Sequence, residues 1–92
     1  IFDEAVIPFI EESTSDILII SAGFDAHRLD PIASINLETE DYAYLIRKLR
    51  EIHPNLLVGL EGGYNLRALG ECCNSVASIL IDYTNERQVT LA

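Results

Sequence analysis

An α/β unit on a parallel sheet is the fold this sequence predicts, in the order helix, strand, helix, strand, helix. Two short, continuous apolar runs, residues 17–20 and 56–60, each stop at a glycine-bearing turn. Apolar residues recur at helical spacing after both turns, and strands that alternate with helices in this way pair in parallel through right-handed crossovers.

Phe2, Ala5, Val6, Phe9 and Ile10 share one face of a helix, within which Pro8 must either kink the pattern or mark a first turn. Ser13, Thr14 and Ser15 close it. The run 17–20 has no polar alternation, which predicts a parallel strand covered by helices on both faces. From Ser21 to Leu37 the chain has no period, and a loop of that length is usually functional.

Thr39 predicts an N-cap, with Glu40 and Asp41 in the turn where the helix dipole favours negative charge. Tyr42, Leu45, Ile46, Leu49 and Ile52 form the apolar stripe of this helix, and Pro54 ends it. Residues 56–60 give the second strand. Leu66, Leu69, Cys73, Val76, Leu80 and Tyr83 then predict a third helix, and no structure is assigned beyond Thr84.

The chain has 92 residues, begins at Ile1 and contains no Met, so it reads as a piece of a longer protein. Fifteen acidic against 6 basic residues give a formal net charge of −9. No cationic cluster is present to neutralise phosphates, so direct nucleic-acid binding is not expected. An acidic surface gives solubility and also suits cationic substrates. No apolar stretch approaches the roughly 20 residues of a membrane span, and no membrane partner is expected. Cys72 and Cys73 are adjacent, which is neither a CxxC spacing nor a comfortable disulfide, and two thiols suggest an intracellular, reducing compartment.

In open parallel sheets ligands bind beyond the carboxyl ends of the strands. Asp25 follows the first strand and Tyr64 the second, so both emerge on that edge. From its residues alone Asp25 reads either as a turn cap accepting backbone N–H bonds or as an oxygen ligand for a divalent cation. Tyr64 reads either as a ring packed at a strand end or as a phenol donating to a developing oxyanion. Gly62 and Gly63 permit a close backbone approach. They lack the spacing of a P-loop or a dinucleotide turn.

Taken together, SAGFDAHRLDP (21–31) and LEGGYN (60–65) resemble the paired signatures of the histone deacetylase superfamily, which includes acetylpolyamine amidohydrolases and acetoin-utilisation proteins. The Pro8 helix, Asp16-Ile17-Leu18 and the stretch from Asn36 to Tyr42 resemble that family as well. The resemblance implies an arginase/deacetylase-type open α/β sheet, with residues 1–92 as the C-terminal part of one catalytic domain. It implies that Asp25 is the last ligand of a catalytic Zn2+ and that Tyr64 polarises the scissile carbonyl. Gly62 and Gly63 would wall the acyl-lysine channel. Glu61 looks like the class II and bacterial branches, and a Tyr at 64 is the competent version. The family's tandem His pair and its Asp-x-His ligands are not in this sequence, so the chain alone is expected to be inactive.

Asp25-Ala26-His27 also spells Asp-x-His, and in an extended segment both side chains would share one face. In the family that pair lies upstream, so His27 is not assigned to the metal. His53 is expected at a helix C-terminus. Arg28 and Asp30 are expected to hold the long loop through an ion pair or a turn, and the two cysteines to lie in or near the core. The implied substrate is an acetylated lysine or polyamine. Two other readings stand beside it: a non-catalytic α/β interaction module, and a phosphate- or nucleotide-binding domain. A two-stranded sheet with an uncovered edge predicts self-association of the isolated chain, which size-exclusion chromatography would register.

Overall fold

The computed structural model describes the backbone of residues 1–91 and the side chains of residues 1–81. Tyr83, expected on the apolar stripe of the third helix, falls outside the described side chains.

A π-helical turn, Phe2–Val6, leads directly into α1, Ile7–Glu12. Pro8 stands in the first turn of α1, but the π-helical turn runs straight into it, so the missing N–H removes one bond to the preceding turn. The Ile7 N–H reaches back to the Phe2 carbonyl, and this wider turn gives the Pro8 ring room over the preceding backbone. Ser13 ends the helix, its hydroxyl donating to the Ile10 carbonyl at 2.7 Å. No residue of either segment is buried. Both are anchored towards α2 (Thr39–Ile52), where the Tyr44 hydroxyl donates to Asp3 of the π-helical turn.

β1 (Leu18–Ala22) and β2 (Leu56–Leu60) pair in parallel, with Leu18 opposite Leu56 and Ala22 opposite Leu60. Between them lie the long loop and α2 (Thr39–Ile52); after β2 comes α3 (Leu66–Leu91). β1 thus continues two residues past the apolar run, through Ser21 and Ala22.

The core lies between one face of the sheet and the helix pair α2 and α3. Ala22, Phe24, Tyr42, Ile46, Cys72 and Val76 are buried there, with Ile20 and Val58 packed against them. Coverage on both faces, which the continuous apolar runs predict, is not what this chain builds. The opposite face leaves Ile19 68% and Leu57 57% exposed, because α2 and α3 pack side by side and cover one face only.

α3 turns most of the expected stripe inward: Val76 is buried and Leu69, Cys73 and Leu80 pack against the core. Ala68 and Cys72 are buried as well, whereas Leu66 is 85% exposed. Nor is Thr39 the N-cap of α2. Glu38 holds that position, its backbone N–H donating to Asp41 Oδ2 at 2.7 Å.

Candidate active site

At the carboxyl ends of the strands the two following loops are joined by backbone hydrogen bonds. The Glu61 N–H donates to the Ala22 carbonyl at 2.9 Å and the Phe24 N–H to the Gly62 carbonyl at 2.8 Å. Asp25 and Tyr64 therefore follow directly from two strand ends that continue to pair.

Asp25 places its carboxylate against two bare α-carbons. A Cβ on Gly23 would come within 3.0 Å of Oδ1, and one on Gly62 within 3.0 Å of Oδ2. Among the described residues, no side-chain hydrogen bond or ion pair ends on this carboxylate. A half-buried carboxylate without a protein donor retains its oxygens for an external partner. That satisfies what a hard cation asks of one ligand. Among the described residues no group of three or more His, Cys, Asp or Glu converges as a metal site, so further ligands would have to come from outside this chain.

Asp30, not Asp25, caps the turn. Its Oδ1 accepts the N–H groups of Ile32 at 2.8 Å and Ala33 at 3.3 Å, and its Oδ2 accepts that of Tyr64 at 2.9 Å. Burial pushes the pKa of Asp30 up, but the backbone donors Ile32, Tyr64 and Ala33 together outweigh it and hold the carboxyl below its ordinary value. Arg28 forms its ion pair with Glu38, at 2.8 Å, and not with Asp30, and that hydrogen bond raises the pKa of Arg28.

Tyr64 is 57% exposed and open at the mouth of the two loops. It is preceded by Gly63 at φ 141°, a region that L side chains rarely adopt, and a Cβ there would also meet Leu69 at 3.1 Å and Phe24 at 3.3 Å. Asn65 then caps α3, its Oδ1 accepting the Ala68 N–H at 2.9 Å.

His27 is 1% exposed and is consumed by the fold. Its Nδ1 accepts the Leu29 N–H at 3.2 Å, which leaves the proton on Nε2 to donate to Thr39 Oγ1 at 3.0 Å. Thr39 in turn donates to Glu71 Oε2 at 3.3 Å, and Arg67 holds the other oxygen of Glu71 at 3.1 Å. The loop, α2 and α3 are thereby tied at one point. Tyr42 supports the same loop: its hydroxyl accepts the Ala26 N–H at 3.1 Å and its ring meets Phe24 edge-on at 5.0 Å. Burial raises the pKa of Tyr42.

His53 lies at the far end of the sheet, at the C-cap of α2, where Nε2 is 3.0 Å from the Ser15 carbonyl. Cys72 is fully buried and Cys73 partly so, both as free thiols. Burial raises the pKa of Cys72.

A sequence profile of the histone deacetylase domain matches residues 1–80. The chain belongs to the histone deacetylase family. An uncharacterised protein of Synechocystis sp. is 44% identical over 70 residues, which cover 76% of this chain and 23% of that protein. The chloroplastic histone deacetylase 10 of Oryza sativa subsp. japonica is 41% identical over 73 residues, covering 74% of this chain and 16% of the relative. The crystal structure of the HDA15 HD domain superimposes with a TM-score of 0.82 at 36% identity, over 86% of this chain and 23% of that one. The chain thus has the α/β fold of that family and spans less than a quarter of the length of these relatives.

Neither the support that Tyr42 gives the loop nor the pairing of Thr39 with His27 is legible in the sequence. Both residues stand in unremarkable helix positions, and only the packing of the loop against α2 gives them these roles. The pairing of Asp30 with Tyr64 was equally hidden, although Asp30-Pro31 marks a turn on its face.

Proposed function

We propose that the full-length protein is a zinc-dependent amidohydrolase that removes acetyl groups from acetyl-lysine or acetylated polyamines. Residues 1–92 are then the C-terminal part of its single catalytic domain. The observation that carries this reading is the Asp25 carboxylate, free of protein donors and resting against Gly62, two residues before Tyr64. The family membership of residues 1–80 supports it.

In this reading Asp25 is one ligand of the zinc, and the remaining ligands and the proton-accepting His come from outside the chain. Bound zinc supplies Lewis-acid polarisation of the amide carbonyl and brings the pKa of a coordinated water towards about 7. Tyr64 donates its phenolic proton in a hydrogen bond to the carbonyl oxygen as negative charge gathers there, from a position fixed before the substrate arrives. Gly62 and Gly63 line the path of the acyl chain beside it. The net charge of −9 favours a substrate with a cationic backbone or flanks. Free Cys72 and Cys73 suit a reducing, intracellular compartment.

Tyr64→Phe in the full-length enzyme tests the assignment. Turnover should fall by about 10² or more, the loss expected for an oxyanion donor, with zinc content unchanged. Asp25→Ala should lose the metal instead. Undiminished turnover of Tyr64→Phe would sink the reading.

A further inference from the structure

We infer that Asp30 is a positioning residue for Tyr64, an assignment that rests on the catalytic reading of Tyr64 given above. Tyr64 follows two glycines, the least restrained backbone available, and its ring is largely exposed. Its position must come from its backbone. The Asp30 carboxylate supplies that anchor by accepting the Tyr64 N–H at 2.9 Å.

The anchor is itself immobilised. Asp30 is 8% exposed, its other oxygen is held by the Ile32 and Ala33 N–H groups, and its own N–H donates to the His27 carbonyl at 3.0 Å. His27 is in turn fixed to α2 and α3 through Thr39 and Glu71. A single loop thus carries Asp25 at one end and fixes Tyr64 from the other. Its fold, together with the hydrogen bond from the Phe24 N–H to the Gly62 carbonyl, sets where Tyr64 stands relative to Asp25. Misplacement of a catalytic group by about 1 Å costs on the order of 10²-fold in rate, so such an anchor bears directly on turnover.

Asp30→Asn is isosteric, but one of its two terminal atoms becomes a donor. It cannot accept from both the Ile32/Ala33 pair and Tyr64. In the full-length, zinc-loaded enzyme we expect kcat to fall by about 10- to 100-fold with KM within about twofold, by the geometric argument above. Zinc content should be unchanged, and amide hydrogen exchange of the peptide containing Tyr64 should be faster. In a Tyr64→Phe background the same substitution should cost little further turnover, because no phenol remains to be positioned. Fully additive losses would mark a merely structural role and overturn the proposal. An Asp30→Asn enzyme with wild-type kcat would overturn it too. If Tyr64→Phe itself retains turnover, the catalytic reading fails first, and the exchange result still reports the anchor. Should Asp30→Asn not fold, exchange in the wild-type protein decides: a Tyr64 amide as fast as an open-loop amide rules the anchor out, and a protected one upholds it.

Discussion

Asp25 rests its carboxylate on the bare α-carbon of Gly62: a methyl group added there would lie 3.0 Å from Oδ2 and 3.2 Å from Cγ. The two residues stand 37 positions apart in the chain, and the parallel register of β1 and β2 brings them together. With only one carbon between backbone and carboxyl, the Asp25 carboxylate can yield to such a methyl group only by turning about χ1 or χ2.

Gly62→Ala should therefore push Asp25 out of its present position. We expect the full-length protein to lose zinc occupancy, measured by elemental analysis after dialysis, while the fold itself loses only about 1–3 kcal/mol, as overpacking usually costs. Zinc content equal to wild type would show that the contact does not restrain the carboxylate.

Gly63 and Gly70 should respond in opposite directions. At Gly63, φ 141° and the neighbours Leu69 and Phe24 make Gly63→Ala both strained and crowded. A loss of about 1–3 kcal/mol is expected. At Gly70, on the exposed side of α3, an added Cβ meets nothing within 4 Å. Gly70→Ala should gain about 0.5–1 kcal/mol through helix propensity. Urea unfolding midpoints of the two variants provide the comparison.

His27→Ala should be among the most destabilising changes in the loop. It removes a fully buried ring, leaves the Leu29 N–H without its acceptor and takes from Thr39 Oγ1 the donor it receives from Nε2. A cavity together with unsatisfied polar groups predicts a loss of about 2–4 kcal/mol. Thr39→Val, which keeps the shape and removes one hydroxyl, should cost less. The same unfolding midpoints, read for both variants, check the order.

Acid should weaken the loop through Asp30. Its folded-state pKa is depressed, so the folded protein binds the proton less readily than the unfolded chain does. The associated stability is fully present above the ordinary carboxyl value of about 4 and is lost as pH falls through the folded value. Asp30→Asn should flatten that acid limb in unfolding midpoints collected between about pH 5 and pH 3. An unchanged slope would show that other carboxylates, such as Glu71, whose pKa is lowered by its hydrogen bond with Arg67, govern it.

Strands, helices and the functional edge were legible because each rests on local chemistry: apolar runs of strand length, stripes at helical spacing, and glycines where the chain must turn. β2 lies at residues 56–60 as the apolar run indicates, and α2 runs from Thr39 to Ile52, stopping short of Pro54. The positions of Asp25 and Tyr64 beyond the strand ends follow from topology alone.

Tertiary structure decided which polar group answers which. Asp25 and Asp30 are the same residue type five positions apart, and composition gives no reason for one to collect three backbone donors while the other collects none. His27 gains its partners only once α2 and α3 pack beside the loop, and Leu66, an apolar residue on the expected stripe, is left 85% exposed. Secondary structure is set by forces acting over a few residues, so the chain itself encodes it visibly. Hydrogen-bond partnership and burial depend on distances between segments far apart in sequence, and those exist only after folding.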